Sequence, residues 1–329
     1  MLIDVCVSGA DLDRTADAEI DRAKRYGRAA KADRTIAEYA RDWRDFERYC
    51  RARGLSALPA DPLTVARYAA TLAGVRAIAT IRRRMIAISQ AHQERGFEPP
   101  TAHKVVREVL AGIAHTHGSA QQKSALTLDL LRAALLTIDE TTLKGKRDRA
   151  LLLLGFAGAF RRGELAALDV EHLAFDGRGL TITLPHSKTD QEGAGREVAI
   201  PYVRAAGMCA ARAVRSWLDA AAIGDGPVFR TFSLPRGRHT AGDSVQAQRI
   251  DGRDVARILQ RSTARAQLEG NFSAHSLRAG FITSAAQKKI PEADVQRVSG
   301  HRSVATLRSY IRRATIFEDS PLTAIIDAP

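Results

Sequence analysis

Residues 272–278 read Phe-Ser-Ala-His-Ser-Leu-Arg, and residues 299–310 read Ser-Gly-His-Arg-Ser-Val-Ala-Thr-Leu-Arg-Ser-Tyr. His275 and Arg278 stand three residues apart, on one face if the segment is helical. His301 precedes Tyr310 by nine residues. Upstream lie Ala159-Phe160-Arg161-Arg162-Gly163-Glu164-Leu165 and Ser187-Lys188-Thr189. Two arginines, two histidines and a lysine can surround one phosphate, and a tyrosine can attack it.

A phosphodiester is negatively charged and resists nucleophiles. Breaking one without a metal ion requires cations on the non-bridging oxygens, a nucleophile, and an acid for the departing 5′-oxygen. Arginine suits the first task, because its planar fork grips phosphate bidentately and stays protonated. A phenol has a pKa near 10, so a tyrosine nucleophile needs cations or a base beside it. Each residue alone has an ordinary explanation. Arg161-Arg162 can be a charged helix start, His301 a structural histidine, Tyr310 a core or rim residue and Lys188 an exposed hairpin lysine. The combination is what carries weight.

This ordered set resembles the tyrosine recombinase (phage integrase) family, with a Cre-like two-domain organisation. The resemblance places Arg161 and Arg278 on the phosphate and His275 beside Arg278 in a His-x-x-Arg motif. It places His301 where most members carry histidine and Cre-type enzymes tryptophan. Lys188 becomes the general acid, Tyr310 the nucleophile, and Glu164 a support for its neighbours. Arg162 stays an alternative to Arg161, since a slip of one residue exchanges their roles. None of the six catalytic positions departs from the family pattern. The resemblance implies a mostly α fold with a small antiparallel β-sheet, arranged as a two-domain, C-shaped DNA clamp. It further implies a homo-tetramer on two double-stranded DNA sites, a 3′-phosphotyrosyl intermediate and strand exchange through a Holliday junction. No cofactor, ATP or metal is expected, because the phosphotyrosine stores the bond energy. Two rivals remain at this level. A type IB topoisomerase shares the chemistry, though the two-domain organisation and chain length favour a recombinase. A non-catalytic DNA-binding relative is opposed by six competent catalytic positions.

Composition agrees with a polyanionic partner. The 329 residues include 50 Lys plus Arg against 37 Asp plus Glu, a net charge of +13. Each phosphate neutralised by such a surface releases counterions. A solvated basic surface would look the same by charge alone. Aromatic residues make up only 5% of the chain, which argues against base stacking on single strands as the main mode. Cys6, Cys50 and Cys209 are widely separated, without metal-ligand or disulfide-framework spacing. No apolar run spans a membrane, and the start of the chain lacks the pattern of an export signal. A cytoplasmic, nucleoid-associated protein is expected.

Periodicity divides the chain. Residues 1–30 read as an N-terminal tail with one helix. Residues 31–115 read as a small all-helical domain, which resembles the family's core-binding, DNA-binding domain. Asp33 opens a helix whose apolar face is Tyr39, Trp43, Phe46 and Tyr49. Asp61-Pro62 is a cap followed by proline at the first helical position. A third helix runs from Thr80, with Ile81, Met85 and Ile88 on one side and Gly96 ending it, and a fourth covers about residues 102–114. Residues 116–124 read as a linker. The catalytic domain, 125–329, begins with Thr127 capping an apolar helix, then a buried helix containing Leu151–Leu154. Thr181–Leu184 and Glu197–Ile200 alternate as a hairpin around a turn at 190–195. The remainder reads as mostly helical, ending in a short apolar tail with Phe317, Leu322, Ile325 and Ile326, which the resemblance docks on a neighbouring protomer. Arg253, Arg257, Arg261 and Arg265 recur every fourth residue, opposite Val255, Ile258 and Leu259. That pattern predicts a basic helical stripe able to contact DNA. Arg82, Arg83 and Arg84 are further DNA-binding candidates.

Overall fold

The computed structural model describes residues 22, 33–118, 123–184, 195–233, 244–301 and 304–314. It is mostly helical, with two small antiparallel sheets. The chain divides into two compact units, Met1–Gln121 and Gln122–Pro329.

The first unit packs four helices, α1 (Asp33–Arg51), α2 (Pro62–Leu72), α3 (Ile78–Gln93) and α4 (Lys104–His117). Phe46 and Cys50 of α1, Tyr68 of α2 and Ile81, Met85 and Ile88 of α3 form its core. The Asp61 carboxylate accepts from the Leu63 amide at 2.8 Å, which satisfies one of the donors left unpaired at a helix start. α3 begins at Ile78, two residues earlier than expected. α4 begins later, because a 3₁₀ turn at Pro100–Ala102 precedes it and His103 serves as its cap. It also runs to His117, so the first residues of the stretch read as a linker are helical. Buried His92 bridges two elements. Its Nε2 accepts from the Ala60 amide at 2.9 Å, which leaves Nδ1–H to donate to the Ile88 carbonyl at 2.8 Å.

The second unit opens with α5 (Leu128–Leu136) and α6 (Leu143–Ala157). Thr127 stands at the cap position of α5, but its side chain makes no capping bond; the Leu128 amide donates instead to Ser284 Oγ at 2.8 Å. Leu151, Leu152, Leu153 and Leu154 are all buried, which is why α6 has no polar face over this turn. After α7 (Arg162–Ala166) comes a sheet ordered β1 (Leu173–Phe175), β2 (Gly179–Leu184), β3 (Arg196–Pro201). β2 and β3 pair antiparallel with Thr181 opposite Ala199 and Leu184 opposite Arg196. Alternate residues Ile182, Leu184, Val198 and Ile200 face the core. The turn expected at 190–195 falls almost wholly outside the described residues.

Past α8 (Ala210–Ala220) the chain is mostly helical, as expected, with one short sheet that the sequence did not indicate. β4 (Arg230–Phe232) and β5 (Val245–Arg249) form a second, two-stranded sheet. The unit ends with α9 (Gly252–Arg265), α10 (His275–Gln287), α11 (Glu292–Ser299) and α12 (Val304–Ala314). α10 is buried on nearly every side, so its small residues matter. Leu126 donates its amide to the Ser276 carbonyl at 2.9 Å, and a Cβ on Gly280 would overlap the Leu126 carbonyl group. The apolar tail residues from 315 onward lie outside the described residues, as does Cys6. Cys50 and Cys209 are free thiols in the two cores.

Candidate active site

Four short structures converge. α6 ends at Gly158, where a Cβ would overlap the Phe160 ring, and Ala159 turns the chain with φ +48°. That turn sets Arg161 at the cap of α7. Glu164, buried in the first turn of α7, accepts from the Arg161 amide at 2.8 Å and from Arg161 Nη1 at 2.6 Å. One carboxylate thus caps the helix and aims the guanidinium. The adjacent Arg162 is exposed and lies along Gly252, outside this arrangement. The geometry therefore favours Arg161 over Arg162 for the site.

α10 brings His275 and Arg278. Arg278 is only 2% exposed and acts as a hub. Nη1 donates to the Ala159 carbonyl at 2.8 Å and to the Ser299 carbonyl, while Nη2 meets the His301 ring at 3.0 Å from Nε2. It therefore ties the turn before Arg161 to the turn before His301. Burial, reinforced by the charge of Arg161, lowers its pKa to about 10, so it remains cationic at neutral pH.

α11 stops at Gly300, which takes the left-handed conformation (φ +62°, ψ +40°) that glycine adopts without strain. The reversal delivers His301 into the site. Ser299 Oγ meets His301 Nδ1 at 2.8 Å, and Gln296 Nε2 donates to the His301 carbonyl at 2.8 Å. A consistent assignment has Nε2 accepting from Arg278 and Nδ1–H donating to Ser299. Burial, then the charges of Arg278 and Arg161, push the His301 pKa down to about 4. The imidazole is neutral at physiological pH.

α12 carries Tyr310. Its ring packs against the small cluster of Ile282, Ala285, Val295 and Leu307. Its hydroxyl is 2.6 Å from His275 Nε2. His275 keeps an accessible edge, yet desolvation lowers its pKa, helped by the charges of Arg278 and Arg161. A neutral His275 is a hydrogen-bond acceptor for the phenol.

The structure thus gathers Arg161, Glu164, His275, Arg278, His301 and Tyr310 around one point. Lys188 lies outside the described residues. Sequence reasoning missed Arg196, at the start of β3, whose Nη2 is 3.8 Å from Glu164. It also missed Ser299 and Gln296, which hold the His301 ring and backbone. Among the described residues no group of three or more His, Cys, Asp or Glu side chains could hold a metal ion.

The DNA-binding candidates separate. Arg82, Arg253, Arg257 and Arg265 are exposed. Arg257 also reaches Asp254 at 3.3 Å. Arg261 instead turns inward and donates to buried Asp148 at 2.9 Å. Arg83 donates to Asp42 at 2.7 Å, and Arg84 pairs with Asp45. These three arginines have carboxylate partners within their own units, and the Arg261 and Arg83 side chains stay 38% and 36% exposed. Val255, Ile258 and Leu259 form the buried face of α9.

Comparison with known proteins gives the family and the fold. Residues 127–315 match the phage integrase family. An integrase/recombinase xerD homolog of Selenomonas ruminantium is 39% identical over 306 residues, covering 92% of this chain and 88% of the relative. Tyrosine recombinase XerC of Myxococcus xanthus is 25% identical over 280 residues, covering 84% and 86%. The chain therefore belongs to the phage integrase family, the tyrosine recombinases. The fold is shared with a lambda integrase dimer bound to a COC′ core site (TM-score 0.60, 16% identity, 94% of this chain and 83% of that one). It is shared also with XerH recombinase bound to palindromic difH substrate (TM-score 0.55, 18% identity, 82% and 72%).

Proposed function

We propose that this protein is a site-specific recombinase that cuts and rejoins duplex DNA through a covalent 3′-phosphotyrosyl intermediate. The observation that carries the reading is the 2.6 Å contact between Tyr310 Oη and His275 Nε2 beside Arg161 and Arg278. In the proposed reaction Arg161 and Arg278 neutralise the non-bridging oxygens of the scissile phosphate. His301 donates its ring N–H to a non-bridging oxygen of the same phosphate in place of Ser299, and neutral His275 takes the phenol proton as the bond to phosphorus forms. The bond from phosphorus to the 5′-oxygen breaks, and Lys188 protonates that oxygen. The 5′-hydroxyl of a partner strand then attacks the phosphotyrosine in the reverse sense, which regenerates Tyr310. The linkage conserves the phosphodiester energy, so ATP is not required, and side-chain cations fill the role a metal would take. The names of the relatives support strand exchange between two sites, for which a tetramer and a Holliday junction are the simplest assembly. Arg82, Arg253 and Arg257 are proposed DNA contacts, and the tail from residue 315 is a proposed contact between protomers. A protein that acts on DNA fits a cytoplasmic, nucleoid-associated location.

The test is covalent capture. A duplex selected for binding from a random-sequence pool is nicked at successive positions, so that cleavage near a nick releases a short fragment and traps the protein. An adduct resistant to denaturation, formed in excess EDTA, is expected. Binding without adduct at any nick position would defeat the reading.

A further inference from the structure

One cation stands behind the site rather than in it. Arg196 opens β3 and projects its guanidinium between Glu164 and the end of α11. Nη1 donates to the Val298 carbonyl at 2.9 Å. Nη2 is 3.8 Å from Glu164 Oε2, is fully enclosed, and has no hydrogen-bond partner. The Phe160 ring lies 6.0 Å from the guanidinium carbon. Gly300 closes over the group from the other side. A Cβ at Gly300 would lie 3.0 Å from Arg196 Cζ and closer still to Nη1, so the glycine provides space for this side chain as well as a left-handed turn.

Nη2 is closed off from substrate, and Nη1 is held by the Val298 carbonyl, so the fork is turned towards the protein rather than towards DNA. Its targets, however, belong to two parts of the site. Glu164 is the carboxylate that aims Arg161. Val298, Ser299 and Gly300 form the turn that delivers His301. We propose that Arg196 is a positioning residue for DNA cleavage, locking the Arg161–Glu164 pair and the Val298–His301 turn into one rigid unit. The proposal rests on the recombinase reading of the same site. A planar fork reaches both targets at once, whereas a single ammonium reaches one.

The local charges support this role. Among the described residues, the titratable or charged groups around the His301 ring are Arg278 and His275 from α10, Arg161 at the start of α7, Arg196 from β3, and Tyr310 from α12. Burial is the largest cause of the lowered His301 pKa, with Arg278 and Arg161 next and Arg196 among the further contributors. Removing the Arg196 charge raises the His301 pKa. Replacing Arg196 by lysine keeps much of that charge but loses the fork.

The experiment measures single-turnover adduct formation by the full-length protein on the nicked duplex, as a function of pH. Wild-type adduct formation establishes the underlying reading, and its absence would bring down that reading rather than this one alone. Arg196→Gln is expected to slow the adduct step by up to roughly 100-fold, the cost of a catalytic group misplaced by about 1 Å. DNA affinity should stay close to wild type. Protonating His301 removes the acceptor that Arg278 Nη2 meets, so the part of the acid limb set by His301 should move to higher pH. Arg196→Lys should recover part of the rate and keep the wild-type limb. Gly300→Ala supplies an independent arm should Arg196→Gln fail to fold. It displaces the guanidinium without removing its charge, so it should slow cleavage with an unshifted limb. In the Arg196→Lys background the same glycine change should cost less than it does alone. A folded Arg196→Gln protein with wild-type rate and limb would overturn the proposal. So would a wild-type rate in Gly300→Ala.

Discussion

Replacing Arg278 by lysine preserves the charge and removes the geometry. Arg278 donates to the Ala159 and Ser299 carbonyls through one nitrogen and meets the His301 ring through the other. A lysine ammonium at this depth reaches one of these targets well. At least one buried carbonyl, together with the ring nitrogen, then loses its partner. An unpaired buried acceptor costs about 1–3 kcal/mol, and the nitrogen of the partly exposed His301 ring about 1, so the expected loss is about 2–4 kcal/mol. For a unit of this size each kcal/mol moves the unfolding midpoint by about 2–4 °C, which gives a fall of about 4–16 °C. Catalysis suffers separately, because the two loops held by Arg278 carry Arg161 and His301. Loss of one preorganised donor at a developing charge costs roughly 100- to 1,000-fold in rate. Circular dichroism melting gives the first quantity. Single-turnover adduct formation, run well below the lowered midpoint, gives the second. An Arg278→Lys protein that melts within 1 °C of wild type and cleaves within about three-fold of its rate would refute the hub argument.

Three further outcomes are expected. His301 titrates near pH 4 in the folded chain against an ordinary 6.5, and His275 shifts in the same direction. The unfolded chain therefore takes up these protons first. Stability present above pH 6.5 should be lost as pH falls towards 4, and urea midpoints in His301→Gln should fall less steeply across that window than in wild type. Gly280→Ala drives a methyl group into the Leu126 carbonyl at the centre of α10. It should destabilise by about 3 kcal/mol, read as a lower urea midpoint, and an unchanged midpoint would mean that α10 can shift freely. Arg253, exposed in the first turn of α9, should contribute to sequence discrimination. Arg253→Ala should cost roughly 1–3 kcal/mol on the selected duplex and much less on random DNA, whereas equal losses on both would make it a phosphate contact.

The parts of this fold legible from sequence are those in which local pattern and burial coincide. Trp43, Phe46 and Tyr49 fall at helical spacing, and Asp61-Pro62 is a start signal that acts through its own neighbour, Leu63. The alternation of Ile182, Leu184, Val198 and Ile200 marks two strands because one side of that sheet is core. β5 carries no such alternation. Val-Gln-Ala-Gln-Arg leaves Gln246, Ala247 and Gln248 exposed, so its pairing with β4 has no hydrophobic signature. Side-chain partners distant in sequence were equally hidden. Periodicity placed Arg261 in a basic stripe, and Asp148, on α6, draws it inward. Asp42 does the same to Arg83. The converging site was legible because its residue types are chemically unusual together. Arg196 was not, since nothing next to it in the sequence points to Glu164 or Val298. Ser299 was hidden in the same way, its task being to orient a histidine two positions on.

The central claim is that Tyr310 is the residue joined to DNA, and peptide mapping of the trapped adduct tests it most directly. After nuclease digestion, trypsin should release Ser309–Arg312 as a short peptide, bounded by Arg308 and Arg312. Its mass should be increased by a nucleotide remnant that fragments from Tyr310, and Tyr310→Phe protein should bind the same duplex and form no adduct. A remnant on any other residue, or an adduct persisting in Tyr310→Phe, would contradict the account.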